Sequence, residues 1–215
     1  KWMNELSKNG YVRQYRNPKI ITKQTTYSLG LKGRQYLKKT ERDDIDKKLL
    51  DRGWREHKMS HEFREHCIFI ADCYLSLQQL SESSNSKLYF YTKVQLHDMQ
   101  YLILPHPDAY IAIEEPNGNI QRYFMEVFRE MPPRMFLRKR VRQYVEYFEN
   151  EYWQDNTDKP FPKIIMICPD DRSKNYLYRF MQGAMEDVDG KEFYLSTREM
   201  VKEKGINKET LIFID

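Results

Sequence analysis

Five cationic side chains cluster at the start of a helix that the sequence predicts from Pro132-Pro133 to about Trp153. They are Arg134, Arg138, Lys139, Arg140 and Arg142. Cations are unfavourable at a helix N-terminus, because the aligned peptide dipoles place positive partial charge there. We therefore expect an anion beside this part of the helix, either a carboxylate pair or a nucleic-acid phosphate. The alternative is that these side chains are simply solvated.

The carboxylate pair that could meet these cations consists of Asp108 and Glu126. Asp108 precedes a predicted strand over residues 109–115, and Glu126 lies inside a predicted strand over residues 122–129. The turn Pro116-Asn-Gly-Asn119 joins the two strands into a predicted hairpin. Side chains opposite each other in such a hairpin lie about 5 Å apart, so the two carboxylates are expected to approach one another.

Positive charge is also concentrated at the beginning of the chain. Residues 1–42 hold 11 Lys or Arg against two Glu, a local net charge of +9; because the whole chain carries +4, the remainder carries −5. A basic block followed by a mildly acidic body indicates that one end meets a polyanion. The alternative here too is a solvated basic surface.

Length and composition exclude several classes of protein. The 215 residues suffice for one ordinary domain or for a small domain joined to a medium one, and the 14% aromatic content predicts a folded chain. No apolar run approaches the roughly 18 residues of a membrane span, and no signal peptide is present, so a cytoplasmic protein without membrane contact is predicted. The cysteines Cys67, Cys73 and Cys168 lack disulfide or zinc spacing and are expected to be buried free thiols.

The first 42 residues predict a small domain of helices and a hairpin. Its elements are a helix over 1–9 ended by Gly10, a hairpin from residues 11–15 and 20–29, and a helix over 31–39. This order resembles the second half of a winged helix-turn-helix domain, and the domain is expected to be N-terminally truncated. The resemblance implies that the first helix enters the major groove of double-stranded DNA while the hairpin follows the phosphates. The expected DNA contacts are Lys1, Asn4, Lys8, Arg13, Arg16, Lys19 and Lys23.

A charged segment over residues 43–56 is predicted to link this domain to a second one over 57–215. The second domain begins with the predicted order α-β-β-β-α-β-α-β and ends with a short helix and a terminal strand, so the fold class is α/β of the α+β kind. Its elements are helices at 57–80, 132–153, 171–184 and 197–203, and strands at 88–96, 109–115, 122–129, 164–168, 192–195 and 211–214.

The three-strand meander, crossover helix and buried strand of this domain resemble the core of the PD-(D/E)-x-K nuclease-like superfamily. The resemblance implies that Asp108 and Glu126 bind Mg²⁺ while a lysine helps to activate the attacking water. Phe128 stands where the superfamily has that lysine. Lys139, on the following helix, is the expected substitute, and Arg138 and Arg142 are expected to contact DNA.

Four short blocks resemble a narrower group, the replication-relaxation family of bacterial plasmids and mobile elements. The blocks are His66–Leu77, Leu104–Ile113, Arg122–Val127 and Leu137–Tyr147. The family also has a winged helix ahead of a nuclease-like domain. Where it tends to have Glu-x-Asp-Arg, this chain has Glu126-Val-Phe-Arg129, which lacks an acid and argues against cleavage while leaving DNA binding untouched.

Three functions follow from these resemblances. The first is a protein that binds double-stranded DNA in the replication or conjugative processing of a mobile element, without catalysis and without a required cofactor. The second is an Mg²⁺-dependent endonuclease or nickase that uses Asp108, Glu126 and Lys139. The third is a docking protein that joins replication or relaxase proteins and forms a homodimer through its aromatic surfaces.

Overall fold

The computed structural model describes residues 2–16, 25–40, 46–52, 58–129, 132–184 and 191–214. The chain divides into two compact units, unit 1 over residues 1–61 and unit 2 over residues 62–215. Helices are interspersed with a two-stranded and a six-stranded sheet. The predicted α+β class is therefore confirmed, while its winged-helix and nuclease-like subdivisions stay predictions.

Unit 1 contains three helices and one hairpin among its described residues. The elements are α1 (Trp2–Lys8), β1 (Val12–Tyr15), β2 (Thr26–Leu29), α2 (Leu31–Lys39) and α3 (Lys47–Arg52). Strands β1 and β2 are antiparallel, with Val12 opposite Leu29. The predicted pairing of the two strands is present. The predicted start of the second strand at Ile20 lies outside the described residues.

Gly10 terminates helix α1, as the sequence predicts. Gly10 has φ +77, a left-handed conformation that favours glycine. The Tyr11 amide donates to the Leu6 carbonyl at 2.9 Å, and the Gly10 amide donates to the Ser7 carbonyl at 3.0 Å. This pair of hydrogen bonds is a Schellman motif, and it turns the chain from α1 into β1.

Two further glycines let helix α2 pack directly on the backbone that leaves α1. A Cβ atom on Gly30 would lie 2.3 Å from the Gly10 carbonyl oxygen, and one on Gly33 would lie 2.3 Å from the Tyr11 carbonyl oxygen. The Gly30 amide donates to that same Tyr11 oxygen at 2.7 Å. Unit 1 is therefore held together by backbone contacts that no larger residue permits.

Unit 2 is built around a six-stranded sheet with the order β3-β4-β5-β6-β7-β8. Strand β5 is parallel to β6 and β6 to β7, while the other neighbours are antiparallel. Its elements are α4 (His61–Ser83), β3 (Lys87–Thr92), α5 (Lys93–Leu96), β4 (Ala109–Glu114), β5 (Ile120–Val127), α6 (Arg134–Glu149), α7 (Tyr152–Thr157), β6 (Lys163–Cys168), α8 (Asp171–Ala184), β7 (Phe193–Thr197), α9 (Arg198–Lys204) and β8 (Ile212–Ile214).

Helices cover both faces of this sheet. Side chains alternate along β5, so Phe124 packs with Leu137 of α6 and Leu177 of α8 on one face. Met125 packs with Phe69 of α4 and with α9 on the opposite face. The core thus has two halves, separated by the central strands, which are buried on both sides as the apolar run Ile164–Cys168 predicts.

Two predicted elements extend well past the end of the observed element. The predicted strand 88–96 ends at Thr92, because Thr92 and Gln95 form a capping box that starts α5. The predicted helix 132–153 ends at Glu149, and Glu151 adopts φ 52 before α7 begins. This break allows Trp153 to turn inward and pack against Phe124, with ring centroids 5.3 Å apart.

The cysteines are free, but only two of them are buried as expected. Burial raises the pKa of Cys73 and of Cys168 to about 12, so both thiols stay protonated at neutral pH. Cys67 is exposed on α4, contrary to the prediction. None of the helices in the described part of the chain combines the length and the apolar character that a membrane span requires.

Candidate functional site

The carboxylate of Glu126 is buried beneath helix α6. The Arg140 guanidinium donates to Glu126 Oε1, and the Tyr144 hydroxyl donates to the same oxygen at 2.6 Å. Arg140 also donates to the Pro105 carbonyl at 2.7 Å. Its guanidinium carbon lies 4.6 Å from the centroid of the Tyr144 ring. The acid is thus satisfied by one cation and one phenol inside unit 2.

Helix periodicity brings Arg140 to this position. Arg140 comes three residues after Leu137 and four residues before Tyr144, both of which are fully buried. Residues at these spacings share one helix face, so Arg140 must also point into the core. Its exposed fraction is 2%. A buried arginine requires an acid partner, and Glu126 on β5 provides it.

Asp108 is held by a different set of partners. Its Oδ1 lies 3.1 Å from Nε2 of His66 on α4, and its Oδ2 accepts the Val127 amide at 2.9 Å. The Nδ1 atom of His66 lies 3.3 Å from a guanidinium nitrogen of Arg198. A guanidinium can only donate, so Nδ1 accepts and Nε2 carries the proton that is donated to Asp108.

The two carboxylates have opposite pKa shifts. Burial raises the pKa of Asp108, but the hydrogen bonds from His66 and from the Val127 amide outweigh it, so the net shift is downward. Burial raises the pKa of Glu126 and nearby Asp108 raises it further, against the opposing effects of Arg140 and Tyr144. Burial and the adjacent Glu126 raise the pKa of Tyr144 well above its ordinary value, so its hydroxyl remains a donor.

The hairpin brings Asp108 next to Glu126, yet the two acids belong to different helical layers. The Asp108 amide donates to the Met125 carbonyl, which extends the β4–β5 pairing by one residue toward Glu126. Asp108 is then connected to α4 through His66, whereas Glu126 is connected to α6 through Arg140. The carboxylates therefore link the helices on the two faces of the sheet.

The residues present do not fit a divalent cation between these acids. Both oxygens of Asp108 are used, by His66 and by the Val127 amide, and Glu126 Oε1 is used by a guanidinium. A metal ion would have to approach the fixed positive charge of Arg140 and displace the donors that these oxygens already accept from. Within the described ranges, no three His, Cys, Asp or Glu side chains form a metal-binding group.

The strand position that the nuclease resemblance assigns to lysine holds Phe128, and the expected substitute, Lys139, lies on α6. Phe128 is buried in the core and meets Phe136 edge-on, with ring centroids 6.4 Å apart. Lys139 is exposed on α6, one residue before the arginine that contacts Glu126. The role of Lys139 in water activation thus stays a prediction.

The other arginines of α6 lie over aromatic rings of α8. Arg134 and Arg138 are 4.8 and 5.2 Å from the centroid of the Tyr176 ring. Arg138 and Arg142 are 5.1 and 5.6 Å from the centroid of Phe180. The three arginines follow one another at intervals of four residues, so they form a ladder on one flank of the helix. The rings fix the guanidinium groups while leaving them at the surface.

Most of the DNA contacts predicted in unit 1 lie on described residues. Asn4 and Lys8 are exposed on α1, Arg16 is exposed just after β1, and Arg13 is half-buried within β1. Lys1, Lys19 and Lys23 lie outside the described residues. Lys32 and Lys39 of α2, which the sequence did not single out as contacts, are exposed as well.

Sequence reasoning missed three side chains around the two carboxylates. Tyr144 donates to Glu126, Arg198 contacts His66, and Arg140 is the specific cation that contacts Glu126. Helix phase could have identified Arg140 and Tyr144. No signal in the sequence connects Arg198 with His66, because these residues are 132 positions apart. His66 begins an apolar helical run, which favours a structural, hydrogen-bonded histidine over a ligand, and its two hydrogen-bond contacts agree with that interpretation.

Comparison with known proteins gives one match. The family model described as replication-relaxation matches residues 1–164 of the 215. No curated protein and no solved structure matches the chain.

Proposed function

The chain belongs to the replication-relaxation family, and from this premise we propose that it binds double-stranded DNA of a plasmid or mobile element through unit 1, without cleaving it. In this role it acts in replication or in the processing of the DNA for transfer. Unit 2 serves as a folded platform whose buried carboxylates Asp108 and Glu126 are held by donors of the protein itself.

The observation that carries this proposal is a set of exposed cations on a rigid unit. Lys8, Arg16, Lys32 and Lys39 are exposed on α1, just after β1 and on α2. The aliphatic stem of Lys32 lies 3.8 Å from the point where a Cβ on Gly10 would be, where the start of α2 packs on the backbone that follows α1. Cations fixed on such a frame neutralise phosphates with little loss of backbone entropy on binding.

Helix α1 has the properties of a helix that reads a DNA groove. None of its seven residues is buried, and Trp2 is 68% exposed. Asn4 and Lys8 are separated by one helical turn and share a face. An asparagine amide can pair with the edge of adenine in the major groove, while a lysine beside it contacts phosphate or guanine. This arrangement supports α1 as the element that reads sequence.

Binding to a labelled duplex across a salt series tests the proposal. We expect log K to fall linearly with log salt, and replacing Lys8, Arg16, Lys32 and Lys39 together with glutamine should reduce the slope by about 0.9 for each phosphate that the variant no longer neutralises. Replacing the exposed Lys159, Lys202, Lys204 and Lys208 of unit 2 is the matched control and should change the slope much less. An equal slope in the unit 1 variant and the native chain would overturn the proposal.

The same samples separate binding from catalysis. Supercoiled plasmid incubated with the protein and Mg²⁺ should stay unnicked at protein concentrations that saturate the duplex. Nicking that is lost in Glu126→Gln but not in the unit 1 variant would instead establish the endonuclease function.

A further inference from the structure

A cleft of about 580 Å³ opens beside α6, on the flank opposite the arginine ladder. It lies between residues 100–104, the second half of α6 and the start of α7, within unit 2. Its volume is in the range of small-molecule pockets. One wall is aromatic: Tyr152 is 55% exposed and stacks on Tyr147, with ring centroids 6.3 Å apart and planes at 24°. The cleft therefore offers a ring face to a flat ligand.

Two asparagine amides that line the cleft each donate one hydrogen bond within the protein. Asn150 Nδ2 donates to the Glu146 carbonyl at 2.9 Å, and Asn156 Nδ2 donates to the Tyr152 carbonyl at 2.8 Å. The side-chain oxygens of both asparagines remain to accept hydrogen bonds. The Glu146 carboxylate also lines the cleft, and it accepts no hydrogen bond from the described part of the chain. The ligand that fits these groups is flat and carries hydrogen-bond donors.

The position of the cleft on α6 relates it to the arginine ladder. Arg142 ends the ladder, and Glu146 follows it by one turn, about 6 Å along the helix axis. Gln143 and Asn150 continue the cleft side of the helix, whereas Arg138 and Arg142 occupy the side that faces α8. A polynucleotide strand that crosses the exposed ridge of α6 can therefore place a phosphate at Arg142 and the adjoining base beside Glu146.

We propose that this cleft binds an unpaired, amino-bearing nucleobase, with cytosine as the best match. The base stacks on Tyr152 and donates its exocyclic amino group to the Glu146 carboxylate, while the arginine ladder holds the neighbouring phosphates. Thymine has a carbonyl oxygen at the corresponding position, so it faces the carboxylate with an acceptor and is disfavoured. The inference rests on the proposed function only in taking a nucleic acid as the ligand.

Binding of labelled single strands of twelve dC and of twelve dT to the full chain tests the inference. The native protein should bind dC about tenfold more tightly than dT, because a carboxylate that accepts from the cytosine amino group provides discrimination of this size. Glu146→Gln should bring the ratio close to one, since an amide can donate to thymine as well as accept from cytosine. Glu203→Gln removes the same charge from an exposed site on α9 and should keep the ratio.

The stacking partner is tested separately from the charge. Tyr152→Ala should weaken binding of both strands about tenfold, while Tyr152→Phe, which keeps the ring, should bind as the native chain does. Both positions are exposed, and urea unfolding of each variant verifies that unit 2 is intact. Equal affinity of the native chain for dC and dT, or an unchanged ratio in Glu146→Gln, would overturn the inference.

The outcome is distinguishable from failure of the proposed function. The unit 1 variant that loses duplex affinity should keep the dC-to-dT ratio, because its substitutions lie outside unit 2. A native chain that shows the ratio without salt-dependent duplex binding would sink the proposed function and leave the cleft assignment standing. A native chain that binds duplex in a salt-dependent way but shows equal affinity for dC and dT would overturn the cleft assignment and leave the proposed function standing.

Discussion

The guanidinium of Arg140 on α6 donates to the carboxylate of Glu126 on β5, and both side chains are buried in unit 2. The acid that the nuclease resemblance assigns to a metal is thus neutralised by an arginine. The Tyr144 hydroxyl completes the arrangement by donating to the same oxygen. Fixed protein donors therefore provide the positive charge that a cation would otherwise bring.

Removing the arginine should destabilise unit 2 strongly. Arg140→Met leaves the Glu126 carboxylate buried without a cation, and we expect the free energy of unfolding to fall by about 3–5 kcal/mol. Adding Glu126→Gln should restore part of this loss, because a neutral amide can still accept from Tyr144. Urea unfolding of the single and double variants measures the coupling. Arg138→Met on the same helix is the control and should cost about 1 kcal/mol or less. A small effect of Arg140→Met would contradict the buried ion pair.

Magnesium should not stabilise the protein. A ligand that binds only the folded state raises the unfolding temperature, and both oxygens of Asp108 and one oxygen of Glu126 already accept from protein donors. We expect the same Tm in millimolar Mg²⁺ and in chelator. Lys139→Ala should likewise leave supercoiled DNA unnicked, as in the native chain. A metal-dependent rise in Tm that disappears in Glu126→Gln, or nicking that needs Lys139, would favour the endonuclease.

The free energy of unfolding should fall at low pH because Asp108 becomes protonated. Its folded-state pKa lies below the ordinary value of 3.8, so its carboxylate contributes stability that is fully present above about pH 4 and is lost as pH falls through the folded pKa. Glu126 acts in the opposite direction: its folded pKa lies above 4.5, so protonation of this group at falling pH favours the folded state down to about pH 4.5. The loss below pH 4 therefore belongs to Asp108 rather than to Glu126.

Asp108→Asn tests this assignment. At pH 7 the variant should be less stable by about 1–3 kcal/mol, because both oxygens of Asp108 accept hydrogen bonds, and the amide nitrogen of asparagine must face one of those two donors and leave it without an acceptor. Between pH 4 and pH 2 its stability should fall less steeply than that of the native chain. Urea unfolding across this range measures both effects. Parallel pH profiles for the two proteins would exclude Asp108 as the responsible group.

Two glycines should respond to alanine in opposite ways. Gly33→Ala places a Cβ 2.3 Å from the Tyr11 carbonyl oxygen, and we expect it to destabilise unit 1 by about 3 kcal/mol and to weaken duplex binding. Gly183→Ala on α8 meets no atom within 4 Å and should stabilise its helix by about 0.5 kcal/mol. Hydrogen exchange of the two units, read separately, measures each effect. If the amides of unit 1 stay protected from exchange in Gly33→Ala, the close packing of Gly33 on the Tyr11 carbonyl is not needed for the stability of unit 1.

Local patterns predicted most of the secondary structure because each element has its own signal. Gly10 ends α1 in the left-handed conformation, Asn117-Gly118 forms the turn between β4 and β5, and the apolar run from Ile164 forms a buried central strand. The Thr92-x-x-Gln95 capping box was also visible in the sequence and would have ended β3 correctly. The left-handed Glu151 had no such signal, since glutamate rarely adopts this conformation.

The candidate site was less predictable because it depends on contacts between distant elements. Strand pairing brought Asp108 and Glu126 to the same end of the hairpin, as the sequence indicated. Which cation of α6 contacts Glu126 is decided by the face of the helix on which each residue lies. Arg140 lies on the buried face, whereas its neighbour Lys139 is exposed. The contact between His66 and Arg198 arises only when α4 and α9 cover the same face of the sheet, and no local pattern reports that packing.

Each strand of the large sheet, from β4 through β8, pairs with the strand that precedes it in the chain. No strand has to be inserted between two neighbours that have already paired, so the sheet can extend at a single edge in the order in which the ribosome delivers its strands. Pairing each strand with its predecessor keeps every closing segment as short as the chain order allows, and the longest of them covers residues 128–162. A nascent chain that has emerged as far as Val127 already contains the complete antiparallel meander β3-β4-β5 and can begin folding before its parallel strands are synthesised.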